Sequence, residues 1–188
     1  MKPTKLRGLW FASIPILIFL AACAMSWSNV RAQESSLARL PAPEMQRLAK
    51  FYVGIWDYTE TYPKNGKQNT GVYSSELGPG GNSIINKFHS KGPVGDFEGM
   101  LVMTWDAKEK AYKAYVFGND FPGAIIETGQ WEGETLVFHG GLSAGQMKLA
   151  LRNAAKLMAP GKMASDAFSS ANGAPEQLLV HVEATRRP

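Results

Sequence analysis

From residue 55 onward the chain is a series of short β-prone segments cut by turn signals that no strand interior accepts. This punctuation constrains the fold more than any other feature. Ile55–Tyr62, Thr70–Leu77, Ser83–Ser90, Phe97–Trp105, Ala111–Phe117, Ala124–Trp131 and Thr135–His139 read as strands. Between them lie Asn65-Gly66, Gly78-Pro79-Gly80-Gly81, Gly92-Pro93-Val94-Gly95, the polar run Asp106–Lys110, Gly118–Gly123 and Glu132-Gly133-Glu134, each rich in residues that turns favour. The last segment, Gln177–Arg186, alternates cleanly, with Leu178, Val180, Val182 and Ala184 on one face.

Residues 147–158 fit two readings. Their composition favours a helix, with good helix formers throughout. Their pattern also satisfies period 2, with Met147, Leu149, Leu151, Ala155 and Leu157 on one parity and Lys148, Arg152 and Lys156 on the other. Pro160-Gly161 and Asn172-Gly173-Ala174-Pro175 punctuate the remainder at hairpin spacing, so strand is the expectation. The total is about nine or ten antiparallel strands without a crossover helix, and a sheet of that size removes its unpaired edges by closing on itself. The expected fold is all-β: an up-and-down antiparallel barrel.

A short helix should precede it. Met45, Leu48, Ala49 and Tyr52 recur on one helical face. Pro43 suits a first turn, Glu44 suits the N-terminal dipole, and Gly54 can end the helix. A helix this short is marginal alone, so it should lie against one end of the barrel.

Residues 1–32 read as a targeting peptide. Lys2, Lys5 and Arg7 precede an apolar run from Leu9 to Ala24, and Val30-Arg31-Ala32 offers small residues at −3 and −1 before a cleavage site. The run is short of the ~20 residues that a spanning helix needs. Leu20-Ala21-Ala22-Cys23 also resembles a bacterial lipoprotein box, with the chain's single cysteine where lipidation would require it. Both processing routes place the domain outside the cytoplasm: soluble after Ala32, or anchored through Cys23. The chain then divides into a targeting peptide at 1–32, a linker at 33–43 and a barrel domain at 44–188.

The formal charge of +4 belongs to the leader. Residues 1–32 hold four of the twenty Lys and Arg and none of the sixteen acids, which leaves a balanced remainder. A neutral body without a basic stripe argues against nucleic acid as a partner. One cysteine excludes a disulfide framework within the chain.

Helix, then Gly54-Ile55-Trp56 opening the first strand, then hairpins ending in a strand with Arg186 and Arg187: this order resembles the calycin superfamily of lipocalin-like barrels. The Gly-rich corner at Gly78–Gly81, Trp105-Asp106 before a Lys-rich turn, and Arg152 at a late hairpin resemble, within it, a bacterial exported family of unknown function. The resemblance implies that Trp56 plugs the barrel bottom and that Arg186 or Arg187 lies on its indole, a cation–π contact of ~0.5–2 kcal/mol. Gly54, Trp56 and Arg186 are the expected closure set.

The candidate ligand-binding residues are Trp56, Tyr58, Glu60, Tyr115 and Arg152. Trp56, Tyr58 and Glu60 share parity, so Glu60 faces inward if Trp56 does. An inward carboxylate needs a partner, and Arg152 is the candidate. The chain has no nucleophile elbow, phosphate loop, dinucleotide fingerprint, HExxH or Cys-x-x-Cys. These patterns imply a barrel that binds a small apolar or amphipathic molecule, with neither cofactor nor metal, and with membrane contact only through the leader or a lipid anchor. Two alternatives remain. One is a barrel enzyme with an interior Glu, Tyr and His acid–base set. The other is a haem- or metal-binding barrel that uses His89, His139 or His181, although no pair of these has metal-ligand spacing.

Overall fold

The computed structural model describes residues 41–144 and 146–188. The expected targeting peptide, Cys23 and the linker as far as residue 40 lie outside them. Helix α1 (Pro43–Tyr52) leads directly into β1 (Gly54–Tyr62). Nine further strands follow: β2 (Lys67–Leu77), β3 (Ser83–Gly92), β4 (Gly95–Asp106), β5 (Ala111–Gly118), β6 (Ile125–Glu132), β7 (Thr135–Ala144), β8 (Met147–Ala159), β9 (Lys162–Ala171) and β10 (Gln177–Arg186). Each pairs antiparallel with its sequence neighbours, and β10 returns to β1, so the sheet closes in a ten-strand ring. The closing register sets Trp56 opposite Arg186, Tyr58 opposite Ala184 and Glu60 opposite Val182.

The ambiguous stretch is strand. β8 is the longest strand of the ring and is bonded on both sides, to β7 and β9. Two ladders satisfy its backbone groups, and period 2 turns Leu149, Leu151 and Ala155 inward. Tertiary pairing outweighs helix propensity here, as it commonly does.

The up-and-down order puts the turns after β2, β4, β6 and β8 at the same end as α1. This is the closed end. Helix α1 buries Met45, Leu48, Phe51 and Tyr52 against it. Trp56, Ile84, Met103, Tyr112, Leu136 and Met163 rise from the strands to meet them as one apolar cluster. Tyr112 donates its hydroxyl to the Glu44 carbonyl at 3.0 Å, and Trp131 donates its indole N–H to the Tyr112 oxygen at 3.1 Å. The helix is thus fastened across the floor.

The candidate functional site

The floor explains the Gly-x-Trp step. Trp56 is fully buried, and its Nε1 donates to the Tyr52 carbonyl at 2.9 Å. The Arg186 guanidinium lies over the indole at 4.5 Å and donates through Nη2 to the Lys50 and Phe51 carbonyls, both at 3.1 Å. Those carbonyls are among the groups that a helix C-terminus leaves unpaired, so one arginine covers the plug and caps the helix. Gly54 has φ +135°, and a Cβ there would meet the Arg186 side chain at 3.3 Å. Glycine therefore serves both the backbone turn and the passage of the arginine. Arg186, and not Arg187, is the closure residue. Arg187 points outward and grips Asp57 with two bonds of 3.0 and 2.7 Å.

Above Trp56 the inward wall changes character. Four glycines face inward opposite large side chains on neighbouring strands: Gly71 opposite Tyr58, Gly99 opposite Phe88, Gly129 opposite Phe138, and Gly140 opposite Glu127. A Cβ on each would fall within 2.6 Å of its neighbour's side chain. The rings, and the Glu127 stem, therefore lie flat along the wall over bare backbone. Inward residues on β8, β9 and β10, such as Leu151, Ser165, Ala167 and Val182, are only half-buried although they point toward the barrel axis. Bare backbone under flattened rings, and inward side chains that stay part-exposed, describe a lumen above the plug.

Two carboxylates face this lumen from opposite walls, since β1 and β6 stand five strands apart in a ring of ten. Glu60 on β1 accepts hydrogen bonds from the Tyr62 and Ser90 hydroxyls, each at 2.9 Å. Tyr58, directly below, has its phenol pushed up to about 12, first by burial and then by Glu60. Tyr62 is raised further, for the same two reasons and by its bond to Glu60. Glu127 on β6 is buried and accepts a hydrogen bond from Asn153 Nδ2 on β8. Burial raises its carboxyl to about 7, and the Asn153 bond, the smaller influence, pulls the other way. Both groups were open to a parity reading. Glu127 shares its parity with Ile125 and Trp131, and Asn153 shares its parity with Leu151 and Ala155.

Trp56, Tyr58 and Glu60 are brought together on one inward face as expected. Two candidates are corrected. Arg152 points outward, away from Glu60. It makes a bidentate pair with Glu176, its closest contact 2.8 Å, and stacks on Phe168 at 3.9 Å. Asn153, its neighbour, takes the inward position. Tyr115 also lies on the outer wall, between Val102 and Ile126 and substantially exposed, because its strand turns Tyr112 and Ala114 inward. The three histidines share this outward parity. His89 pairs with Asp96 at 2.6 Å, His181 pairs with Asp166 at 2.7 Å, and His139 is exposed. None can ligate a group held in the lumen, so the interior-histidine forms of the enzyme and haem alternatives lose their ligand. Among the described residues, no group of three or more His, Cys, Asp or Glu is placed to hold a metal ion.

A ten-strand up-and-down barrel, floored by an N-terminal helix, a strand-opening tryptophan and a last-strand arginine, has a calycin-like, lipocalin-type fold. Two solved structures share the architecture. One is Rv2717c from M. tuberculosis, with a TM-score of 0.59 and 13% identity, covering 79% of this chain and 99% of that one. The other is the S-type phycobiliprotein lyase CPES from Guillardia theta, with a TM-score of 0.54 and 12% identity, covering 80% and 95%. At such identities the likeness is one of fold. No protein-family model and no curated protein matches the sequence.

Proposed function

We propose that this chain is an exported, non-enzymatic barrel that holds one small apolar or amphipathic molecule above Trp56. Residues 1–32 direct its export on this reading, and the chain is kin to the exported barrels of unknown function that its motifs resemble. The observation that carries the reading is the inward wall of flattened rings, glycines and half-buried small residues over a sealed floor. In a barrel filled by its own side chains the inward Leu101, Leu151 and Val182 would be fully buried, and each is only half-buried. Binding sites of this kind are largely apolar, with a few fixed polar groups; Tyr58, Glu60, Glu127 and Asn153 are such groups. The lyase among the structural neighbours is named for an action on a phycobiliprotein, and it supports the reading only as an example of this architecture in use. Native mass spectrometry of protein purified from its own host is the test. A bound small molecule, released on unfolding, is expected. An empty barrel that takes up no apolar dye would overturn the reading. Intact-mass measurement of the mature N-terminus tests export: a start at Gln33 or at a lipidated Cys23 is expected, and an unprocessed Met1 would refute it.

A barrel enzyme is the second reading, favoured by the Tyr62 hydroxyl 2.9 Å from Glu60. Its weakness is chemical. Both tyrosines beside Glu60 are pushed toward holding their protons, whereas general acids work best near the operating pH. Turnover of a captured ligand that is lost in Glu60→Gln and kept in Glu127→Gln would establish it.

A further inference from the structure

The polar groups of the lumen are unequal in kind. Several inward donors are engaged inside the protein: the Tyr62 and Ser90 hydroxyls on Glu60, Asn153 Nδ2 on Glu127, and the Tyr73 hydroxyl on Met163 Sδ. The inward Tyr58, Ser75 and Ser165 hydroxyls can donate or accept, so the one-sided groups are an amide oxygen and the charged side chains. Asn86 on β3 is buried, with its side chain on the inward parity of Ile84 and Phe88, and its Oδ1 has no hydrogen-bond partner. Glu60 and Glu127 are carboxylates with no cation beside them; the guanidinium expected there, Arg152, is committed to Glu176 outside. Among the described residues the inward-facing cations are Lys67, at the exposed rim, and Arg186, beneath the Trp56 plug. An unpartnered buried acceptor and an uncompensated buried acid are both costly states, and a ligand that brings donors relieves them.

We propose that the lumen selects molecules carrying hydrogen-bond donors or positive charge, the amphipathic amine being the simplest, and disfavours those headed by a carboxylate. Glu127 and Glu60 are its charge-reading residues, and Asn86 Oδ1 accepts from a neutral N–H or O–H. This rests on the ligand-binding reading above and gives it a ligand class. A carboxylate head would add a third negative charge between two others in a space of low polarity, where like charges repel far more than in water. An ammonium head meets opposite charge on either wall, with its alkyl tail along Phe88, Phe138 and Leu101. The raised acidity range of Glu127, caused by burial, is what an acid without a counter-charge displays.

The test uses three probes of equal chain length on the purified protein, dodecylamine, dodecanol and dodecanoate, each below its micelle concentration at pH 8. Titration calorimetry reads the binding. Dodecylamine is expected to bind at least about tenfold more tightly than dodecanoate, with dodecanol between them. Glu127→Gln should lower dodecylamine affinity about tenfold and leave dodecanol nearly unchanged. Ala167→Trp, which fills the lumen, should abolish all three; its melting curve shows whether it folds, and displacement of an apolar dye by each probe from the parent protein gives the same readout without it. If none of the probes binds, the ligand-binding reading itself fails. If dodecanoate binds as well as dodecylamine, binding stands and this inference is overturned. If the amine preference survives in both Glu127→Gln and Glu60→Gln, the preference belongs to the outer surface and the inference is likewise overturned.

Discussion

The floor and the lumen of this barrel are built from the same ten strands with the same alternation, yet they are opposite in filling. At the floor, Met45, Leu48, Trp56, Ile84, Met103 and Leu136 are all at or below 1% exposure. One level up, inward positions carry Gly71, Gly99, Gly129, Gly140, Ser165 and Ala167, and the few large rings lie flat on backbone. The difference is side-chain volume at inward positions, together with the α1 residues Met45 and Leu48 laid across the floor, and not strand geometry. A packed floor fixes the barrel's closure, and a thinned wall above it leaves room. Stability should therefore reside at the floor and selectivity in the lumen, and substitutions can separate the two.

The largest effect should come from the plug. Trp56→Ala removes a fully buried indole, its bond to Tyr52 and the surface on which Arg186 lies. A loss of about 3–5 kcal/mol is expected, measured by urea denaturation. A loss below 1 kcal/mol would mean that the floor is not where closure is stabilised.

Glu127→Gln should act in the opposite direction, and only at one end of the pH scale. Below its ordinary value of 4.5 the Glu127 carboxyl is protonated in both folded and unfolded chains, so it makes no difference to stability there. As pH rises toward about 7 the unfolded chain ionises freely, while the folded chain must either hold the proton or bury a charge. Stability is thus lost as pH climbs, by roughly 3 kcal/mol at pH 9 relative to pH 4 from this group alone. The glutamine variant should lack that decline, matching the parent at pH 4 and exceeding it at pH 9. Equal stability of the two at pH 9 would show that Glu127 is not held in an apolar setting. A lumen site that weakens the fold it sits in is consistent with polar groups kept for binding.

Gly129→Val tests how the wall is thinned. A Cβ at 129 would meet the Phe138 ring at 2.4 Å, so the ring must swing toward the axis. The expected cost is about 1–3 kcal/mol, together with weaker uptake of any lumen probe. Unchanged uptake would show that the flattened ring does not set the free space.

The floor was legible in the sequence and the lumen only partly so. Gly54, Trp56 and the terminal arginines stand in a short ordered pattern, and strand boundaries follow from Gly, Pro and Asn punctuation. Even β8 yielded to its parity, although its composition favours a helix. Arg152 was misplaced because pairing an inward Glu60 with a cation follows charge alone, whereas β8 parity turns Asn153 inward and Arg152 outward. The choice between Arg186 and Arg187 needed register: Trp56 faces residue 186 across the closing ladder. The glycine–ring pairs were invisible for the same reason, because a glycine's partner across a ladder depends on an alignment of strands that spacing does not specify.

That register gives the smallest and sharpest comparison, between two adjacent arginines. Arg186→Met keeps the aliphatic packing on Trp56 but loses the cation–π contact and both bonds to the α1 carbonyls. These losses are offset in part because its Nε is buried without a partner in the parent. A net cost of about 1–2 kcal/mol is expected. Hydrogen exchange should rise at the C-terminal turn of α1, where carbonyls lose their cap. Arg187→Met breaks an ion pair of similar length to Asp57, yet that pair lies on the outer surface, screened by water and salt. No measurable change in the midpoint is expected, and no change in exchange at α1. If the two variants behave alike, closure does not depend on which side of the sheet the guanidinium takes. The distinction between a sealed floor and a solvated outer wall would then fail at the pair of residues where it is cleanest.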